Sequence, residues 1–158
     1  GETMQKLRIS KEERERMYIK EELMRYYMYK DKIQEIQNDI IQFKQHYQEV
    51  LNNPHIGGSI INVQKNNSEK QNIVMRLEYQ LADLESNLKY YESRIAELDR
   101  WLSSLTDIQY QIAVVYICQY QCKDAYGASL ELNYAQDTIK AYTDRILKRI
   151  QKKFNKIF

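Results

Sequence analysis

Two cysteines four residues apart, Cys118 and Cys122, and two histidines, His46 and His55, are the side chains best suited to metal or nucleophilic chemistry. A helix sets residues i and i+4 on one side, so both thiols could face one ion. Tetrahedral zinc needs four nitrogen or sulfur ligands, and no further Cys or His stands in that third of the chain. The pair therefore reads as small packing residues. His46, on the polar flank of a predicted helix, and His55, beside the single proline Pro54, read as structural. No glycine-rich phosphate loop, nucleophile motif or HExxH is present. Acidic residues are scattered as helix-surface partners for Lys and Arg. The expectation is a protein that is not an enzyme and has no metal and no cofactor.

The chemistry that remains is cationic. Counting residues 123 to 158, eight basic side chains face four acidic ones, which gives +4 there against −2 on everything before. No acidic residue follows Asp144. Duplex affinity rests on phosphate neutralisation and is lost with salt, so this asymmetry suits a nucleic-acid partner. A solvated helix end shows the same run, because cations favour the C-terminal end of the dipole.

The elements that must position these groups are helical. Four glycines and one proline in 158 residues leave long stretches without a breaker. Capping boxes pair Ser10 with Glu13, Ser68 with Gln71, Thr106 with Gln109 and, more weakly, Asn133 with Gln136. They predict helix starts near residues 11, 69, 107 and 134, with a short helix between Lys123 and Leu132. The first helix runs from 11 to 51, and Tyr26, Tyr29, Ile33, Ile36, Ile40, Phe43, Tyr47 and Val50 alternate steps of three and four. The second repeats this from Val74 through Leu77, Leu81, Leu84, Leu88, Tyr91, Ile95, Leu98 and Leu102 to Leu105. That is the period of a coiled-coil seam.

Two such seams joined by a loop over residues 52–68 fold back into an antiparallel hairpin, each covering the other's stripe. Pairing between two chains is the competing solution, and the length of the loop favours the hairpin. Self-association through Tyr26-Tyr27-Met28-Tyr29 is expected in addition, giving a homodimer through the coiled-coil region.

Past Leu105 the texture changes. Ile108, Ile112, Val115 and Cys118 continue an apolar face that stops near Gln121-Cys122-Lys123. Ala125, Gly127, Ala128 and Ser129 are small enough for close helix approach, and Asn133-Tyr134 makes a corner, Asn tolerating the left-handed conformation. The helix that follows carries Ile139, Tyr142, Ile146 and Ile150 on its inner face. Three helices with a tight turn before the last is the plan of a helix-turn-helix. Its outward residues are Gln136, Asp137, Lys140, Ala141, Asp144 and Arg145. Gln136 suits a paired contact with adenine, and Lys140 or Arg145 suits guanine or phosphate. The DNA-binding set is thus Asn133, Tyr134, Gln136, Thr138, Lys140, Arg145, Lys148, Arg149 and Lys152.

The stretch from Leu102 to Ile150 resembles sigma-factor region four: an opening leucine, a short helix, a tight turn and a recognition helix containing Thr138. Residues 25 to 155 as a whole resemble the phage late-transcription regulators typified by RinA and ArpU, whose amino-terminal helix, Ile-Gly-Gly loop and second helix precede such a module. The matching loop is Ile56-Gly57-Gly58-Ser59, ahead of Ser68-Glu69-Lys70. The resemblance implies activation of phage genes by binding promoter DNA, with host RNA polymerase as a further partner. By position, Tyr134 takes the turn, Gln136 to Thr138 open the recognition helix, and Lys140 and Arg145 face the groove. The sequence departs from the pattern in lacking a turn glycine, in Ala135, in Gly127-Ala128-Ser129, and in the acidic Asp137 and Asp144.

The expected architecture is all-α: residues 1–10 a disordered terminus with a leftover tag, 11–104 the coiled-coil hairpin, 105–158 the helix-turn-helix. No apolar run approaches the ~20 residues that span a bilayer. Two cysteines without a secretory signal point to the cytosol, and the phage resemblance implies the cytoplasm of a bacterial host. Two alternatives share the pattern: a phage-encoded protein-binding inhibitor on a helix-turn-helix scaffold, and a small terminase-like packaging subunit.

Overall fold

A computed structural model describes residues 8–53 and 63–154. It is all-α, with no strand among the described residues. Helices α1 (Lys11–Met24), α2 (Tyr26–Asn52) and α3 (Val63–Ser103) come first. Helix α4 (Asp107–Ile112) passes directly into a π-helical stretch, Ala113–Gln119, and α5 (Ala125–Leu132) and α6 (Gln136–Lys153) close the order. The expectations for Pro54, His55, the Ile56–Ser59 loop and most of the first ten residues lie outside the described residues.

Two of the predicted caps form as drawn. The Ser10 side chain accepts from the Glu13 N–H at 3.1 Å and opens α1. The Thr106 box is complete, with Thr106 Oγ1 accepting from Gln109 N–H and Gln109 Oε1 accepting from Thr106 N–H. The other two are corrected. Helix α3 begins at Val63, so Ser68 lies inside it and caps nothing. No Gly or Pro between 63 and 68 stops the helix from extending backwards. Asn133 is the left-handed C-cap of α5, φ 59° and ψ 36°, and α6 starts two residues later than expected, behind Ala135.

The chain divides into two compact units, one of residues up to Tyr29 together with those from Arg94 on, the other Lys30–Ser93. The division expected at 104/105 is therefore not where contacts thin out. The predicted single helix from 11 to 51 is also broken, at Arg25, whose N–H closes a tighter turn onto the Glu22 carbonyl at 3.0 Å. No proline or glycine marks the break. Glu22, Leu23, Tyr26 and Tyr29, which flank it, are all withdrawn from water. In this head unit α1 packs on α6 and on the π-helical stretch, and Ile19 and Leu23 of α1 are fully buried. They share that core with Leu98, Trp101, Ile112, Ile117, Ile139, Ile146 and Ile150.

The Lys30–Ser93 unit is a pair of helix segments. Tyr47 OH donates to Glu78 at 3.0 Å and Lys70 Nζ donates to the Leu51 carbonyl at 2.9 Å. The order of those partners runs opposite ways along the two segments, so they are antiparallel. Ile36, Ile40, Val50 and Leu77 are buried along the predicted stripes, while Ile33, Phe43, Leu81, Leu84 and Leu88 are half-buried.

Candidate nucleic-acid interface

The face in question is built from α5, the corner and α6. Asp124 opens α5 by accepting from the Gly127 N–H at 2.8 Å. A Cβ on Gly127 would come within 2.3 Å of that carboxylate, so a larger residue there would make the Asp124 side chain shift. Ala128 is fully buried and lets the neighbouring helices close over α5. The left-handed Asn133 turns the chain, and Ala135 leads into α6 without a side-chain cap. The first-turn N–H groups of α6 are thus left to solvent or a ligand.

On α6, Ile139, Ile146, Leu147 and Ile150 are buried, and one turn in 3.6 residues puts Asp137, Asp144, Arg145, Lys148 and Lys152 away from them. Of the predicted set, Asn133, Gln136, Lys140, Arg145, Lys148, Arg149 and Lys152 are exposed, and Tyr134 and Thr138 are half-buried. Arg145 lies over the Tyr142 ring at 5.2 Å, which holds its guanidinium off the core. Lys148 pairs with Asp144 at 2.9 Å, with both side chains about three-fifths exposed. One cation and one of the two unfavourable carboxylates therefore partly cancel on this face. Arg149 differs from the other cations in having an internal partner, its Nε–H donating to the Ser104 carbonyl at 2.9 Å.

Several functional-looking groups escaped the sequence reading. Glu22 is buried, receives the Tyr29 hydroxyl at 2.6 Å, and pairs with Arg94 at 3.2 Å and Arg25 at 3.6 Å. Its spacing from Ile19 and Leu23 does place it on the apolar stripe of α1, the one signal available. Tyr26, expected at a self-association surface, turns inward to donate to Asp99 at 2.7 Å, and Tyr29 is likewise internal. Only Tyr27 and Met28 of that segment stay exposed. Trp101 is 1% exposed and its Nε1–H has no hydrogen-bond partner among the described residues.

Cys118 lies in the π-helical stretch and Cys122 on the strained corner after it. The π-helical stretch ends with Tyr120 N–H bonding the Val115 carbonyl, and Gln121 and Cys122 then both take positive φ, 55° and 59°. Left-handed conformation costs a non-glycine residue about 1–2 kcal/mol. Tyr116 OH bonds the Cys122 carbonyl and Gln121 Nε2 bonds that of Met24, and these contacts hold the turn. Burial pushes the Cys118 thiol up to about 12 and raises that of Cys122, the latter opposed by Lys20. Neither is an activated nucleophile. His46 lies 3.9 Å from the Glu49 carboxylate, exposed and one helical turn away. No group of three or more His, Cys, Asp or Glu suited to a metal occurs among the described residues, nor any helix long and apolar enough to cross a membrane.

The fold and this surface define an all-α protein with an exposed, cation-bearing terminal helix. No protein-family model, curated protein or solved structure matches the chain.

Proposed function

We propose that the chain is a double-stranded-DNA-binding transcriptional regulator of the phage late-gene type. In this reading α5, the Asn133 corner and α6 form a helix-turn-helix, α6 enters the major groove, and the Lys30–Ser93 pair is a coiled-coil spacer that also mediates dimer formation. It acts in the cytoplasm of a bacterial host, with host RNA polymerase as a second partner. The observation that carries the reading is the run of exposed cations along α6, where Lys140, Arg145 and Lys152 reach water behind a three-residue corner, with Gln136 exposed in the first turn. The uncapped start of α6 adds N–H groups of the kind that bind phosphate. A gel-shift titration against fragments of the promoter region next to its gene tests it. A specific complex is expected whose log K falls with log salt by about 0.9 per neutralised phosphate. The absence of any salt-sensitive complex overturns the reading.

A second reading is favoured by Asp137 and Asp144, which place carboxylates where phosphate would come. It makes the chain an inhibitor that binds a protein through the same helix. Replacing both by Lys tightens DNA binding if the first reading holds, and abolishes capture of the protein partner if the second does.

A further inference from the structure

Two side chains in the last third of α6 hold it from opposite flanks. On one flank, Arg149 Nε–H donates to the Ser104 carbonyl at 2.9 Å. That carbonyl is a fixed point, because Ser104 is 7% exposed, its hydroxyl and its N–H both bond the Trp101 carbonyl, and Trp101 is buried. On the other flank the Gln151 amide uses both its ends. Nε2 donates to the Glu12 carbonyl at 3.0 Å and to the Glu15 carboxylate at 2.9 Å, while Oε1 accepts from Arg16 at 3.0 Å. The contacts reach α1 on one side and the end of α3 on the other.

Residues 149 and 151 stand about 160° apart around a helix of 3.6 residues per turn. The arc between them on the solvent side holds Asp137, Ala141, Asp144, Arg145, Lys148 and Lys152, every one exposed. The wider arc on the other side holds the buried Ile139, Ile146, Leu147 and Ile150 and, in the first turns, the exposed Gln136 and Lys140. Close packing of the apolar face restrains rotation, although the hydrophobic contact that drives it is itself non-directional. Directed hydrogen bonds on both borders fix it. A turn of 20° about the helix axis would carry a side-chain tip roughly 2 Å, which is more than a hydrogen bond to a base edge tolerates.

We propose that Arg149 and Gln151 are positioning residues that set the rotation of α6 and so decide which side chains meet base edges. Arg149 is accordingly not a phosphate contact. The proposal rests on the DNA-binding reading above, and it makes a prediction that reading does not. Binding would lose sequence discrimination, rather than salt dependence, when either side chain is changed.

The test uses the full chain and a library of duplexes with randomised centres. Sequences recovered by the wild type are then titrated beside mixed-sequence duplex. Arg149→Lys keeps the charge but not the planar donor, and Gln151→Ala removes the other clasp. For both variants the ratio of preferred to mixed-sequence affinity is expected to fall about tenfold, the scale of one lost base contact, with the salt slope unchanged. Should Arg149→Gln lower the slope by about one while Arg149→Lys restores wild-type behaviour, Arg149 is a phosphate contact and the proposal is overturned. It is also overturned if both variants weaken all duplexes equally in step with a lower Tm, the signature of simple destabilisation. A wild type that recovers no duplex from the library fails the DNA reading itself, and the proposal with it.

Discussion

Leu84 and Leu98 lie on the same stripe of α3, two heptads apart, and meet different surroundings. Leu98, in the head unit, is fully buried, whereas Leu84, in the Lys30–Ser93 unit, is half-buried. A residue between two helices is covered from one side only, while in the head further helices close over the stripe. The same contrast holds for charge. The head holds an ion pair of the buried Glu22 with the half-buried Arg94, and the ion pairs of the other unit, such as Lys32 with Glu35, stay at the surface. One apolar repeat thus serves two kinds of core, and the repeat itself does not tell them apart.

The comparison can be broken most directly at the two leucines. Leu98→Ala is expected to cost about 3–5 kcal/mol and Leu84→Ala about 1–2 kcal/mol, in line with their burial. Denaturant titration followed by circular dichroism measures both, and equal losses would mean that the two cores do not differ. Next in size is the ion pair. Glu22→Ala strands Arg94, 19% exposed, and is expected to cost about 3 kcal/mol, whereas Glu35→Ala costs less than about 1 kcal/mol. The double variant lacking both Glu22 and Arg94 should recover part of the loss.

The smallest effect is with pH. Burial holds the Cys118 thiol at about 12 against its ordinary 9.0, and it also raises Tyr26, Tyr29 and Tyr116. A raised acid favours its protonated form in the folded state. Its contribution is complete below pH 9 and is lost as pH climbs towards 12. These groups all belong to the head, and so does the single tryptophan, Trp101. Trp101 fluorescence should report alkaline loosening across that window. A signal unchanged up to pH 12 would remove the electrostatic side of the contrast.

Much of this was legible in the residues. The spacing of the two apolar stripes, the Ser10 and Thr106 caps, and the Asn133 corner are local facts, written within one or two helical turns. They determined the helical class, two of the helix starts and which side of α6 faces water. Tertiary structure alone decided that α1 leaves the long first helix at Arg25 and joins the head, because that choice depends on which distant surface buries Ile19 and Leu23. It alone gave Arg149 the Ser104 carbonyl and Gln151 the first turns of α1, partners 45 and more than 130 residues away. Periodicity specifies that a face must be covered, and only the folded packing determines what covers it.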